Sequence, residues 1–381
     1  MLPSSDEVQH SPERMAGGAG RSVGVVPRAR VEAFLARTLL FLLSATLALV
    51  AVEMVGRRLL SARSPIEEEF PVQHYRRPRP YVMFSGQPSA PGLNERGYRG
   101  PAPSGAKPAG EYRVFVLGGS TVLKGRPPFT RFLEERFARA GMADVRVYNF
   151  GVMSSVSGME LAKIVFELSD LHPDLIVMYG GGNDFLEAEN WDPRPGYPFN
   201  FVAYESNPLL ESTPSAYPAL ALGAYASVWL RRLIPGYFTD AFIDLEGLRR
   251  RAGYHSLEWQ RQIADAYVAN VVKAHRVSTA FGSEFIAFYQ PLIYFKNPLT
   301  TEERGLSNPP TGQLAREVRS MVEERLAKAR GNGVRVVDLS RMFADDPRPV
   351  FRDEIHTRQE VLPEIADRVY DGIEREVMHK R

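Results

Sequence analysis

The stretch YRVFVLGGST, residues 112–121, is an apolar run that ends in two glycines, a serine and a threonine. Its apolar residues predict a buried strand, which would place the hydroxyl of Ser120 at the strand's end. VRVYNFG (145–151) and PDLIVMYGGGND (173–184) repeat the pattern, with helical segments between the strands. Strands that alternate with helices in this way indicate a parallel, doubly wound sheet.

The alternation is interrupted and then resumes further along the chain. A proline- and aromatic-rich insert occupies about 185–255, after which EFIAFYQP (284–291) and VRVVDLS (334–340) predict two more strands. The predicted helices cover residues 129–140, 158–169, 256–280, 311–329 and 359–377. The sequence therefore predicts a three-layer α/β/α domain over 111–381 with a five-stranded, mainly parallel sheet.

An apolar segment near the N-terminus predicts one membrane-spanning helix. TLLFLLSATLALVAV (38–52) carries no charge, and its extension to 34–55 reaches roughly the ~20 residues that a span needs. A cleaved signal peptide and a soluble core helix are the rival interpretations. We favour an uncleaved anchor that follows a disordered tail (1–33), rich in glycine, serine and proline, and precedes a proline- and arginine-rich linker (56–110).

The orientation of this helix is open, because arginines flank both of its ends. If the positive-inside bias holds, the tail is cytoplasmic and the catalytic domain lies outside the cytoplasmic membrane. The sequence does not decide whether the segment is cleaved, nor the oligomeric state.

Composition excludes several classes of function. Lys and Arg (47) nearly balance Asp and Glu (45), so the net charge of +2 gives no reason to expect a nucleic-acid partner. The chain has no cysteine, which excludes disulfides, thiolate metal sites and a cysteine nucleophile. No His, Asp or Glu grouping has metal-ligand spacing, so neither a metal nor another cofactor is predicted.

The serine at the end of the first strand allows three interpretations: a nucleophile, a phosphate ligand or a turn residue. GGSTVLKG lacks the spacing of a phosphate-binding loop, and the nucleophile elbow Gly-x-Ser-x-Gly fails because residue 122 is valine. Asp353 and His356, in RDEIHT, precede the final predicted helix. These two residues would supply an orienting carboxylate and a base for Ser120.

Acyl transfer by a serine also needs hydrogen-bond donors for the oxyanion. In a parallel sheet the carboxyl ends of the strands meet at one edge, which brings Gly151 and Asn183 toward Ser120. The backbone N–H groups of Ser120 and Gly151 and the side-chain amide of Asn183 are the candidate donors.

Four ordered blocks resemble those of the SGNH or GDSL-type hydrolases, and the resemblance runs from about residue 112 to the C-terminus. The blocks are VLGGST, NFG, GGND and DEIH; they map the family's nucleophile to Ser120, its oxyanion donors to Gly151 and Asn183, and its Asp-His pair to Asp353 and His356. The upstream GLNERGYRGP (92–101) looks like a lead-in common to membrane-linked bacterial members.

The resemblance implies a flavodoxin-like fold and supporting roles for two loop residues. Gly119 stands where the family's namesake motif has aspartate, which blurs the subfamily. Asp184 is expected to brace its loop rather than to perform chemistry.

The function implied by this resemblance is a serine esterase that cleaves an O-acyl or O-acetyl group from an envelope carbohydrate or lipid through an acyl-enzyme. An O-acetyltransferase with the same triad and a non-catalytic glycan-binding scaffold are the alternatives. The insert is expected to act as a lid or substrate-binding cap. Its aromatic residues Trp191, Tyr197 and Phe199 are candidates for stacking on a sugar ring.

Overall fold

The computed structural model of the chain describes residues 28–60, 75–88, 90–205 and 244–378. The chain divides into two units, residues 1–61 and 62–381. The described part of the first unit is one long helix, α1 (Arg28–Leu60). Most of the tail predicted over 1–33 lies outside the described residues.

Helix α1 has the length and composition of a membrane span over Arg28–Gly56. Large apolar side chains such as Leu40 and Phe41 are exposed along it, whereas a core helix would bury them. A signal sequence near the N-terminus meets the same criteria of length and apolarity. The anchor over 34–55 therefore stays a prediction.

The described part of the second unit contains seven strands and ten α-helices. The strands are β1 (Arg76–Arg79), β2 (Met83–Gly86), β3 (Tyr112–Gly118), β4 (Val145–Gly151), β5 (Leu175–Gly180), β6 (Glu284–Tyr289) and β7 (Val336–Asp338). The helices are α2 (Ser120–Leu123), α3 (Phe129–Arg139), α4 (Ser157–Lys163), α5 (Gly182–Asn190), α6 (Phe201–Glu205), α7 (Leu245–Ala252), α8 (Leu257–Ala280), α9 (Thr301–Leu306), α10 (Pro309–Gly331) and α11 (Leu362–Glu376). A π-helical segment (Ile164–Leu168) and short 3-10 turns (Ser169–Leu171, Ile293–Phe295, Gln359–Val361) complete the regular structure described.

Strands β3 to β7 form one parallel sheet in the spatial order β4-β3-β5-β6-β7. Counted along the sheet's own strands this is the order 2-1-3-4-5, which is the flavodoxin-like doubly wound topology. The strands are nearly continuous apolar runs because both faces of a parallel sheet are covered by helices. The predicted fold class is confirmed.

Helices cover the two faces of this sheet. Helices α3 and α11 pack together on one face, where the rings of Phe137 and Tyr370 lie 5.2 Å apart. Helices α4, α8 and α10 pack on the other face, and the buried Trp259 of α8 lies there. Because each helix buries one apolar stripe against the sheet, the core is continuous across both faces.

Residues 75–100 differ from the loosely packed linker that the sequence predicts over 56–110. Strands β1 and β2 pair as an antiparallel hairpin, and Tyr75, Phe84 and Tyr98 are buried in the core of the domain. The ring of Tyr98 meets that of Phe150 at 4.8 Å. The aromatic side chains between the prolines and arginines supply enough apolar surface to dock this segment. Residues 61–74 of the predicted linker and 206–243 of the insert lie outside the described residues.

A buried ion pair fixes the chain just before the loop that carries Asp353 and His356. Lys296 Nζ lies 2.6 Å from Glu303 Oε2, with both side chains almost fully buried. Glu303 Oε1 accepts hydrogen bonds from the backbone N–H groups of Val350 and Phe351. One carboxylate therefore joins α9 to the segment that leads into this loop.

Replacing Glu303 by alanine should destabilise the domain by about 3–5 kcal/mol, because it leaves Lys296 buried without its counter-charge. The neighbouring Glu302 pairs with Arg358 at the surface, so Glu302→Ala is the matched control and should cost no more than ~1 kcal/mol. Urea unfolding of the variants measures both effects. Equal losses for the two variants would contradict the assigned role of the buried pair.

The contribution of Glu303 should also depend on pH. Burial raises its pKa, but hydrogen bonds from Lys296 and from backbone N–H groups outweigh burial and lower the pKa from 4.5 to about 2. A depressed carboxyl pKa stabilises the fold above the unfolded value, and this stabilisation is lost as the pH falls toward 2. The stability gap between wild type and Glu303→Ala should therefore narrow between pH 5 and pH 2.

Candidate active site

Ser120 begins α2, separated by one residue from the inner strand β3, at the carboxyl edge of the sheet. Register places the strand ends side by side, since Gly118 pairs with Gly151 on one side and with Tyr179 on the other. The residues that follow β3, β4 and β5 therefore surround the Ser120 hydroxyl, as the doubly wound topology requires.

The three residues predicted as a catalytic triad lie in contact. Ser120 Oγ is 2.7 Å from His356 Nε2, and His356 Nδ1 is 2.7 Å from Asp353 Oδ2. In the tautomer that the carboxylate favours, His356 donates from Nδ1 to Asp353 and accepts the Ser120 proton at Nε2. Both distances are those of good hydrogen bonds, so the geometry allows Ser120 to lose its proton to His356.

Asp353 is held by its own loop. Its Oδ1 accepts hydrogen bonds from the backbone N–H groups of Ile355, at 2.9 Å, and His356, at 2.7 Å. Burial raises the pKa of Asp353, but the charge of His356 and these hydrogen bonds outweigh it and lower the pKa to about 2. The carboxylate is therefore ionised throughout the neutral range and can stabilise an imidazolium on His356.

The loop that carries Asp353 and His356 is stabilised by hydrogen bonds within itself and by one to the segment that follows β6. The backbone of Arg352 donates to His356 at 2.8 Å, and Phe351 and Thr357 form an isolated bridge. The N–H of Ile293, beyond β6, donates to the carbonyl of Glu354 at 3.1 Å. His356 is thereby positioned by backbone contacts, which lowers the cost of ordering it for reaction.

Asn183 is placed beside Ser120 by a close approach that needs glycine at 119. A Cβ on Gly119 would lie 2.3 Å from Asn183 Nδ2, which is inside van der Waals contact. One N–H of this amide donates to the Ser155 carbonyl at 2.8 Å. Among the described residues this nitrogen makes no other hydrogen bond. Its second N–H stays a candidate donor to an oxyanion.

Gly151, predicted as an oxyanion donor, has its N–H engaged in the structure, and its role at the oxyanion stays a prediction. Its N–H donates to the side chain of Asn149 at 3.0 Å. A Cβ at this position would meet the Leu123 nitrogen at 2.5 Å. Glycine is required here because α2 packs directly on the end of β4, and the N–H is already used within that turn.

Ser154 is a residue that the sequence reasoning missed. It adopts φ = 57°, in the left-handed region that non-glycine residues seldom occupy, and the next residue, Ser155, provides the carbonyl that holds Asn183. Among the described residues, the Ser154 N–H makes no backbone hydrogen bond. Ser154 therefore belongs to the turn that positions Asn183. The letters NFGVMSS carry no signal of the positive φ, since glycine is absent at 154.

Gln290 is a second polar residue that the sequence analysis did not single out. It follows β6, is 2% exposed, and its side-chain carbonyl accepts from the Thr121 hydroxyl at 3.3 Å. Among the described residues, its Nε2 has no hydrogen-bond partner. The position at the end of a strand is the signal that could have identified it.

Asp184 follows Asn183 and makes its side-chain hydrogen bonds with Ser157. It accepts hydrogen bonds from the backbone N–H and the hydroxyl of Ser157, and Asn270 donates to the same hydroxyl at 3.0 Å. Burial raises the pKa of Asp184 to about 6, against the lowering effect of the hydrogen bonds from Ser157. These contacts join the starts of α5 and α4, as expected of a loop brace.

The aromatic residues predicted to stack on a sugar lie after α5. Trp191 and Tyr197 are exposed, whereas Phe199 is half-buried and 5.0 Å from the ring of Trp191. The apolar remainder of the insert, over 206–243, lies outside the described residues. Within the parts of the chain that the structure describes, no group of three or more His, Asp or Glu side chains could hold a metal ion.

Among the comparisons with known proteins, only the comparison with solved structures finds similar proteins. No family model matches the chain, and no curated protein matches it. An acetyl xylan esterase is 12% identical with a TM-score of 0.40, over 68% of this chain and 99% of the other. A GDSL-like lipase from Bacteroides thetaiotaomicron is 13% identical with a TM-score of 0.39, over 71% and 93%. An acetylxylan esterase from Geobacillus stearothermophilus is 12% identical with a TM-score of 0.37, over 70% and 93%.

The chain is similar to these esterases and lipases. At such identities and TM-scores their activities do not transfer to it. The chemistry of this chain is therefore inferred from its own site geometry.

Replacing Asn183 by alanine should lower kcat for ester hydrolysis by about 10²–10³-fold with little change in KM, because the amide would contact the oxyanion of the transition state and not the bound substrate. Steady-state kinetics with 4-nitrophenyl acetate measure this. Asn190, exposed at the end of the same helix, provides the matched control Asn190→Ala. A change in KM alone would speak against oxyanion stabilisation by Asn183.

Proposed function

We propose that this chain is a serine ester hydrolase of the SGNH type, with Ser120 as nucleophile. The observation that supports it is the continuous Ser120–His356–Asp353 hydrogen-bond chain, with both links at 2.7 Å. The side chains of Ser120 and His356 are largely buried, as a preorganised electrostatic site requires.

In the proposed reaction, Ser120 Oγ attacks the ester carbonyl while His356 Nε2 takes the hydroxyl proton. His356 then gives that proton to the leaving alcohol, and the acyl group remains on Ser120. A water molecule, deprotonated in turn by His356, attacks the acyl carbonyl, and His356 returns the proton to Ser120 Oγ as the bond between Oγ and the acyl group breaks. Asp353 stabilises the imidazolium in both steps, and the Ser120 N–H and Asn183 Nδ2 receive the oxyanion.

The acyl group is proposed to be short, such as acetyl. The pocket beside His356 has a volume of about 20 Å³ and is lined by Thr121, Arg352 and Thr357 among others. A cavity of this size holds little more than one water molecule, which supports a small acyl group. The apolar helix α1 supports a location at a membrane, where we propose that the domain acts outside the cytoplasm on an acylated envelope component.

The test uses the full chain in detergent micelles, with two readouts. Release of 4-nitrophenol from 4-nitrophenyl acetate reports hydrolysis, and a fluorophosphonate probe reports an activated serine. Both signals are expected; absence of both would favour a non-catalytic glycan-binding scaffold. Acetyl transfer to an added oligosaccharide that exceeds hydrolysis would instead identify an O-acetyltransferase.

A further inference from the structure

A polar cluster outside the triad lies one helical turn from Asn183. Arg76 Nη2 donates to the Ser154 hydroxyl at 3.1 Å. Both Ser154 and Arg76 act on the nearby Glu187 carboxyl and lower its pKa. Glu187 follows Asn183 by four residues on α5, so both side chains project from one face of that helix. We refer to Arg76, Ser154 and Glu187 as the Arg76 cluster. The cluster therefore adjoins the candidate oxyanion donor Asn183 along α5.

The Arg76 cluster has hydrogen-bonding capacity that the described residues do not use. Glu187 is only 7% exposed, and its Oε2 has no partner among the described residues; the same holds for Arg76 Nε. Unpaired polar atoms in a buried position are costly and are therefore uncommon. The triad chemistry needs neither side chain, so their unmet hydrogen bonds indicate a polar ligand group.

Burial also changes the protonation of the cluster. It raises the pKa of Glu187 to about 8, although the hydrogen bond from Ser154 and the charge of Arg76 lower it. At neutral pH the carboxyl is thus mostly protonated and can donate as well as accept a hydrogen bond. A hydroxyl group, which also does both, is a better complement to it than an anion.

Aromatic rings border the same cluster on the side of the insert. The Arg76 guanidinium lies 4.0 Å from the centroid of Phe199, whose ring contacts Trp191. Trp191 is 49% exposed, which leaves much of its apolar face available. The Arg76 cluster therefore connects the region beside Asn183 to the exposed ring of Trp191, through the contact of Arg76 with Phe199.

This combination matches the two surfaces of a sugar ring. A pyranose presents C–H groups on its faces and hydroxyls at its edge, so an aromatic side chain contacts the first and Arg or Glu the second. The acyl chain of a lipid has no hydroxyls with which to satisfy the buried polar atoms. We propose that the Arg76 cluster, with Trp191 and Phe199, binds the sugar adjoining the scissile ester of an acylated carbohydrate.

This inference rests on the proposed function, and its test compares two acetyl esters. With the full chain, kcat/KM is measured for 4-nitrophenyl acetate and for a mono-O-acetylated xylotriose. Glu187→Leu should lower the value for the sugar ester by about 10–100-fold, through KM, and leave the aryl ester within about threefold. Glu187→Gln, which keeps a neutral donor and acceptor, should restore sugar-ester activity.

Trp191→Ala is the second variant, since an exposed side chain can be removed without loss of the fold. It should weaken the sugar ester by about tenfold and spare the aryl ester. Equal losses on both esters would overturn the proposal, because they would mean that the Arg76 cluster only positions the loop at Ser154. Unchanged kinetics on both esters would overturn it as well.

Direct binding separates this inference from the proposed function. Titration calorimetry of acetylated xylotriose into Ser120→Ala should show binding that Ser120→Ala/Glu187→Leu loses. If the wild type cleaves neither ester, the hydrolase proposal fails while this titration still decides sugar binding. Absence of binding to Ser120→Ala overturns the subsite, whatever the activity on the aryl ester.

Discussion

Ser120→Ala should lower kcat/KM for 4-nitrophenyl acetate by about 10⁴-fold or more and remove fluorophosphonate labelling. Without Oγ there is no atom for His356 to activate, since the hydroxyl at 2.7 Å from Nε2 is the group placed for attack. The substitution removes one buried oxygen and adds no volume, so the fold should persist.

The control for this variant is Ser320→Ala, which alters an exposed serine of α10 and should retain both activity and labelling. Circular dichroism and thermal unfolding of the two variants verify that neither is unfolded. If Ser120→Ala is still labelled, another residue carries the reactive hydroxyl. The proposed active site around Ser120 would then be wrong.

Asp353→Asn should reduce kcat by about 10⁴-fold while leaving the loop in place. Because Oδ1 accepts the N–H groups of Ile355 and His356, an asparagine would keep its carbonyl oxygen there and turn its amide nitrogen toward His356 Nδ1. His356 Nδ1 would then accept a hydrogen bond from this amide, which puts the ring proton on Nε2. An Nε2–H facing Ser120 cannot take the serine proton.

Asp345, an exposed aspartate nearby in sequence, provides the control Asp345→Asn, which should be neutral. Single-turnover measurements with 4-nitrophenyl acetate should show that acylation itself is slowed. A loss of less than about tenfold in Asp353→Asn would mean that the carboxylate does not set the tautomer of His356.

The pattern of apolar residues along the sequence was sufficient to predict the parallel sheet and its helices. The apolar runs at 112–118 and 175–180 are typical of strands buried on both faces, and the helical segments between them indicate parallel connections. The approach of Asp353 to His356 was predictable as well, since the two residues lie only three positions apart in one loop. Their contact with Ser120 followed from the common edge of the sheet.

The features that were not predicted depend on contacts between distant parts of the chain. Arg76 meets Ser154 across 78 residues of sequence, and no periodicity encodes such a pair. The same holds for the buried aromatic residues of 75–100, which are scattered among prolines and arginines. The left-handed backbone at Ser154 is set by its surroundings rather than by its residue type. Tertiary packing decides features of this kind, and composition does not.

Because Gly119 has no Cβ, the VLGGST and GGND blocks fit against each other and depend on each other's residues. The space that a side chain would fill at 119 is occupied by the Asn183 amide. Introducing the aspartate of the namesake motif by Gly119→Asp would therefore force Asn183 to move. Anyone who grafts this site onto another scaffold, or recombines it with a relative, has to transfer both blocks together.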